Sequence, residues 1–144
     1  MNATSSHAMW SPLQGVPLSG GKVSGSALVT DQRLSFNLGV DERSGVVIEP
    51  GHPLQGQTIA GKVLVYPGGK GSTASSFSLL QLVALGCGPL ALVLVEADAI
   101  TVAGAVLSAI PLVHAFPSDP TAIIRTGDLI LVDGDAGIVE HIQD

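Results

Sequence analysis

Positive charge is scarce in this chain. Six Lys and Arg stand against twelve Asp and Glu, for a net charge of −6. No basic cluster occurs anywhere, which excludes a binder that tracks nucleic-acid phosphates. Thiols are scarcer still: the single cysteine, Cys87, excludes an internal disulfide framework and any metal site built from several thiolates of this chain. Aromatic residues make up 3%, so Val, Leu, Ile and Ala must build the core. Charged residues total 12%, about half the usual share of a soluble domain. The first twenty residues hold no Lys or Arg and no apolar segment. No secretory signal is therefore visible, and the cytoplasm is the expected location.

What is present is apolar. Hydrophobic residues make up 46% of 144, enough to bury the core of one ordinary domain. Eighteen Gly and nine Pro, spread along the chain, point to many turns between short elements. Two stretches, between Lys70 and Glu96 and between Asp98 and Asp119, hold no charged residue and are long enough to be membrane-span candidates. Serines and Gly86-Cys87-Gly88-Pro89 interrupt the first, Gly104 and Pro111 break the second, and the flanking charges are mainly acidic. Both read better as helix–turn–strand units of a soluble α/β domain. So much apolar character in a small domain also suggests a docking face for a larger partner.

The chain divides into a poorly ordered lead over 1–16, with Ser5, Ser6 and His7 resembling a cloning remnant, and a single domain over 17–144. Lys22–Val29 alternates as a strand; Leu34–Leu38 is a second candidate and Gly45–Ile48 a short third. Pro50-Gly51-His52-Pro53 is an irregular loop, and Lys62–Tyr66 a buried strand stopped by Pro67-Gly68-Gly69. Ser75 or Ser76 can cap a helix that ends at Gly86–Pro89, followed by a strand over Leu90–Val95. Ala99 to Ala109 reads as a second helix, Pro111–Phe116 as a strand, and 127–140 as a hairpin turning at Asp133-Gly134. The expected fold is a β/β/α domain of the α/β class, with a mixed, partly parallel sheet and flanking helices.

Chemistry concentrates in Tyr66-Pro67-Gly68-Gly69-Lys70-Gly71-Ser72-Thr73-Ala74-Ser75-Ser76. A glycine-rich loop between a buried strand and a helix turns backbone N–H groups towards an anion, and Lys70 adds a cation. The pattern is neither a Walker loop nor a nucleophile elbow. A plain turn and helix cap would explain it equally well. His52 and His114 are the interior histidines, each explicable as a structural side chain. Asp128, Asp133 and Asp135 could pair as acids, but Asp-Gly turns explain two of them. Cys87 lies between glycines and reads as a structural thiol.

Asp41, Gly45-Val46-Val47-Ile48, His52-Pro53-Leu54-Gln55-Gly56-Gln57, Ala60-Gly61-Lys62-Val63-Leu64-Val65 and Gly69-Lys70-Gly71-Ser72 occur in an order that resembles the small subunit of the aconitase X family. The resemblance continues through Gly88-Pro89-Leu90-Ala91, Ile110-Pro111-Leu112-Val113 and Gly127-Asp128-Leu129-Ile130 to Gly137. It implies a swivelling domain that closes over an active site held mostly by a larger catalytic subunit in a heterodimer. That partner carries an iron–sulfur cluster; none is bound by this chain alone, and no metal ligand is expected here. The family's enzymes are hydro-lyases acting on small hydroxy acids.

By the same resemblance Ser72 is the catalytic residue of this domain and is expected to abstract the α-proton. The loop chemistry makes Lys70, Gly71 and Thr73 the expected holders of the substrate's carboxylate, with His52 a further substrate-binding candidate. Lys70 stands where many relatives have Arg, which keeps the charge and loses bidentate geometry. A serine serves as a base only if its alkoxide is stabilised, and the helix N-terminus, loop N–H groups and Lys70 are the expected stabilisers. The Lys-poor composition argues against a hyperthermophilic source. It tilts the expected substrate towards cis-3-hydroxy-L-proline, as in bacterial members, with mevalonate 5-phosphate, as in archaeal ones, the alternative. Two further classes remain open: a phosphohistidine-type carrier domain using His114, and a scaffold without catalytic residues.

Overall fold

The computed structural model describes residues 8–142. Its organising feature is a set of three short parallel strands, β4 (Val63–Tyr66), β5 (Ala91–Leu94) and β6 (Leu112–His114). Side chains of a strand alternate between faces, and here both faces are apolar. Leu64, Tyr66, Leu92, Leu94 and Leu112 enter one core cluster, whereas Val63, Val65, Ala91, Val93 and Val113 enter the other. Helices α1 (Ser75–Ala84) and α2 (Ala99–Ser108) are the crossovers that follow β4 and β5, and their Leu79, Leu82 and Ala105 fill the first cluster.

Strand β3 (Lys22–Val29) makes the sheet mixed. Its first half, Lys22–Ser26, pairs antiparallel with β7 (Leu129–Asp133), and its second half, Ala27–Val29, runs parallel to β4. The terminal hairpin of β7 and β8 (Ile138–His141) continues the sheet. Two further strands, β1 (Leu13–Gln14) and β2 (Val16–Ser19), have no counterpart in the sequence reading. They sit at opposite ends of the strand order β1-β8-β7-β3-β4-β5-β6-β2, yet only Gly15 separates them in the chain. The sheet therefore nearly closes into a barrel and leaves few unpaired edges. A Cβ on Gly15 would lie 2.7 Å from the His114 carbonyl oxygen, so the seam requires glycine.

Three expectations change. The lead placed over 1–16 is shorter, because β1 and Val16 are already in the sheet. Trp10 also stacks on His141 at 5.0 Å and donates its Nε1–H to Asp128. Residues 1–7, with the supposed cloning remnant, lie outside the described residues. Second, Leu34–Leu38 is a turn, not a strand. Leu34 and Phe36 are buried, but Ser35 Oγ bonds the Asn37 carbonyl and Leu38 takes a left-handed φ of 73°, which ends the alternation. Third, Gly45–Ile48 reduces to the isolated bridges Val40↔Val47 and Val46↔Thr58. The whole 30–62 segment is irregular and is anchored by Leu34, Phe36, Val40, Val47, Leu54 and Ile59 in the first core cluster. A short helix, α3 (Pro120–Ile123), precedes β7.

Candidate active site

The site lies at the carboxyl ends of β3, β4 and β5, where open α/β sheets form their crevices. Tyr66 ends β4, and the chain leaves through Pro67, whose carbonyl accepts from Glu96 N–H just beyond β5. Leu34 N–H, beyond β3, bonds the Gly68 carbonyl, and Arg33 Nη1 bonds the Gly69 carbonyl. Gly68 has φ 153°, and a Cβ there would lie 2.7 Å from the Glu96 carbonyl oxygen. Gly71 takes a left-handed φ of 46°. Glycines thus let the loop pass close to both neighbouring strand ends and turn sharply into α1.

That helix starts as expected but is capped differently. Its N-cap is Ala74, without a side-chain cap bond, and Ser75 Oγ lies 3.3 Å from Ser35 Oγ instead. The loop therefore depends on the 30–62 segment for its support. Ser72 is half-buried, and its Oγ accepts a hydrogen bond of 2.9 Å from Asn37 Nδ2. Lys70 Nζ is held 2.6 Å from Glu49 Oε2. Gly71 and Thr73 are exposed at the mouth of the loop. Gly69 and Gly71 border a cleft of about 280 Å³ with Arg33, Glu96 and Asp98. Lys70 borders another of about 290 Å³ with Gln32, Glu49 and His52. Ser72, Lys70, Gly71 and Thr73 thus share one loop, as expected.

His52 lines the cleft that Lys70 borders. It is buried; Leu54 N–H donates to its Nδ1 at 3.0 Å, which leaves the proton on Nε2 to bond the Arg33 carbonyl at 3.0 Å. With both ring nitrogens bonded to backbone, His52 pins the 50s loop to the end of β3. Three residues bearing on the loop had no signal in sequence: Arg33, Asn37 and Glu49. Asn37 and Glu49 lie 35 and 21 positions from the loop residues they bond.

The other candidates take structural parts. His114 Nδ1 accepts from Ala97 N–H at 3.0 Å. Asp128 is buried and accepts from Trp10 Nε1 and Arg125 N–H, with His141 Nε2 3.7 Å away. Asp133 accepts from the N–H groups of Asp135 and Ala136, which hold its carboxyl below the usual carboxylate range. Asp135 accepts from Gly21 N–H. Cys87 is a buried free thiol, and among the described residues no three His, Cys, Asp or Glu side chains gather as a metal site. These residues do not fit an iron–sulfur cluster. No helix of the described residues is long and apolar enough to cross a membrane.

The sequence profile described as the aconitase X swivel domain matches residues 12–141. The chain belongs to the aconitase X swivel-domain family. It is 43% identical over 128 residues to a protein of Methanocella arvoryzae named phosphomevalonate dehydratase small subunit, covering 89% of this chain and 97% of that one. A protein of the same name from Thermococcus sibiricus is 42% identical, covering 88% of this chain and 95% of its own length. Among solved structures, aconitase X of Thermococcus kodakaraensis in its holo-form superposes with a TM-score of 0.88 at 37% identity, over 93% of this chain and all of that one. The aconitase X resemblance and the α/β fold with a mixed, partly parallel sheet therefore hold. The tilt towards a bacterial hydroxyproline type finds no support in these relatives, whose shared name matches the alternative substrate. That tilt rested on Lys content, which speaks to growth temperature and carries no information on what a loop binds.

Proposed function

We propose that this chain is the small subunit of a two-subunit hydro-lyase that dehydrates mevalonate 5-phosphate, acting in the cytoplasm with a larger catalytic subunit. The observation that carries this reading is the shared name of relatives at about 40% identity over nine-tenths of both chains. The substrate is a β-hydroxy acid. Its dehydration removes a proton from the carbon beside the carboxylate and expels the hydroxyl of the next carbon as water.

Ser72 is the base in this reading. As the alkoxide its Oγ takes the α-proton: the C–H bond breaks, an O–H bond forms, and the freed electron pair becomes the new double bond. The C–O bond breaks with its pair leaving on hydroxide, which becomes water with the proton that Ser72 then gives up, restoring the alkoxide. Gly71 and Thr73, at the mouth of the loop, offer backbone N–H groups to an anionic substrate oxygen, and Lys70 adds a cation. The iron–sulfur centre belongs to the large subunit and, when bound there, supplies Lewis acidity for the leaving hydroxyl. The apolar side chains of Leu38, Ile48 and Phe77, 83%, 49% and 70% exposed, lie on the segments that carry the site and suit a face covered by that subunit.

The test is anaerobic co-purification with the large subunit, followed by mevalonate 5-phosphate and, separately, cis-3-hydroxy-L-proline, with product mass as the readout. We expect loss of one water from mevalonate 5-phosphate only. Ser72→Ala should leave assembly intact and cut turnover at least ~10²–10⁴-fold, the usual worth of a positioned base. Consumption of hydroxyproline instead would reverse the substrate assignment, and near-normal turnover by Ser72→Ala would remove Ser72 as the base.

A further inference from the structure

The expected stabiliser of the Ser72 alkoxide is Lys70, but its ammonium is engaged by Glu49. The side chain that reaches the Ser72 oxygen is Asn37. We propose that Asn37 is a positioning residue for Ser72: its carboxamide N–H fixes the hydroxyl and remains as the donor to that oxygen once the proton has left. This inference rests on the reading of Ser72 as the base.

The polarity of the contact carries the argument. A carboxamide nitrogen donates and cannot accept, so at 2.9 Å Ser72 Oγ is the acceptor and its own proton must point elsewhere. A hydrogen bond to an anionic oxygen is roughly twice as strong as one to a neutral oxygen. The contact therefore favours the deprotonated serine and lowers the cost of forming it.

Asn37 is itself held in place from both sides of the site. Its backbone carbonyl accepts from Ser35 Oγ, and that oxygen lies beside Ser75 Oγ at the first turn of α1. Ser35 and Ser75 are both buried. The turn then closes through left-handed Leu38 and through Gly39, where a Cβ would sit 2.4 Å from the Ser35 carbonyl oxygen. Positive φ at an exposed leucine is unfavourable and persists where surrounding contacts determine the conformation. Here it closes the turn that presents Asn37 to the loop.

The test uses the complex with its large subunit, Asn37→Ala and Asn37→Asp, and steady-state rates on mevalonate 5-phosphate across pH. Asn37→Asp is close in size to the native residue but places only oxygens near Ser72. We expect kcat to fall about 10- to 1000-fold in both variants, as on removal of one preorganised donor to an oxyanion. KM should stay within about twofold while the acidic limb of the kcat profile moves to higher pH, because the serine becomes harder to ionise. In the double variant with Ser72→Ala the loss should be no larger than for Ser72→Ala alone. Wild-type kcat in Asn37→Asp, or a raised KM at unchanged kcat, would overturn the proposal. A second arm needs no turnover. In the ¹⁵N-labelled full chain, Ser72→Ala should shift the Asn37 side-chain NH2 resonance and speed its exchange; an unmoved resonance overturns the contact. An inert wild-type complex with that resonance responsive would instead count against the substrate assignment.

Discussion

In the free chain Lys70 and Glu49 form an ion pair at 2.6 Å, with side chains 47% and 24% exposed. An anionic substrate that binds at Lys70 must displace the Glu49 carboxylate. Removing the competitor should then tighten binding, and removing the cation should weaken it. An exposed ion pair contributes ~0.2–1 kcal/mol. At ~1.4 kcal/mol per tenfold, Glu49→Gln should lower KM about 1.5- to 5-fold, with kcat unchanged. Lys70→Met deletes a charge-assisted hydrogen bond, about 1.5–3 kcal/mol, and should raise KM roughly 10- to 100-fold. The assay is initial-rate kinetics of the assembled complex on mevalonate 5-phosphate at low and at physiological ionic strength. The Glu49→Gln gain should shrink with salt, since the pair is open to solvent. If Glu49→Gln raised KM as Lys70→Met does, Glu49 would be orienting Lys70 and the competition argument would fail. If Lys70→Met left KM unchanged, Lys70 would not touch the substrate.

Three other outcomes follow from the packing. Tyr66 is fully buried, its hydroxyl has no hydrogen-bond partner among the described residues, and burial, followed by the charge of Asp98, pushes its phenol far above the ordinary range. Tyr66→Phe keeps the edge-on contact with Phe36 and should stabilise the chain by about 1 kcal/mol, a few degrees in Tm by calorimetry. A loss of stability would mean that the hydroxyl is bonded in solution. Gly68→Ala would press a Cβ against the Glu96 carbonyl oxygen and Arg33 Nη1, so it should cost about 1–3 kcal/mol in chemical denaturation and displace the Ser72 loop, with a fall in turnover. Asp133 has a lowered pKa from its bonds to the β7–β8 turn, so its contribution is present above the unfolded carboxylate range, near pH 4, and disappears as pH falls through its folded pKa. Asp133→Asn should flatten the acid dependence of stability below about pH 4, measured by denaturation at stepped pH. An unchanged slope would show that this carboxylate does not contribute.

Much of the 62–116 half was legible because its signals are local. Continuous apolar runs bounded by Gly and Pro give β4, β5 and β6, and Ala99–Ser108 shows a helix whose N-cap, Asp98, accepts from Thr101 N–H. The Asp133-Gly134 turn likewise marked the closing hairpin. Leu34, Phe36 and Leu38 misled for a physical reason: alternate spacing shows which residues are apolar, whereas Ser35 and Gly39 decide that the chain turns between them. β1 and β2 were illegible because a two-residue and a proline-containing strand have no period of their own. They exist because β8 and β6 offer them edges.

The amino-acid sequence by itself determined that a glycine-rich loop carrying Lys70, Gly71, Ser72 and Thr73 stands between a buried strand and a helix. These features arise within a dozen residues, where φ/ψ preference and side-chain spacing act directly. Only the tertiary structure decided that Asn37 reaches Ser72, that Glu49 holds Lys70, that His52 is spent on backbone, and that the sheet nearly closes at Gly15. Apart from the bond between His52 and Leu54 N–H, each of those contacts joins residues far apart in the chain. Those at the site depend on how the aperiodic 30–62 segment drapes over the helical face of the sheet, and its path is set by where Leu34, Phe36, Val40, Val47, Leu54 and Ile59 find burial.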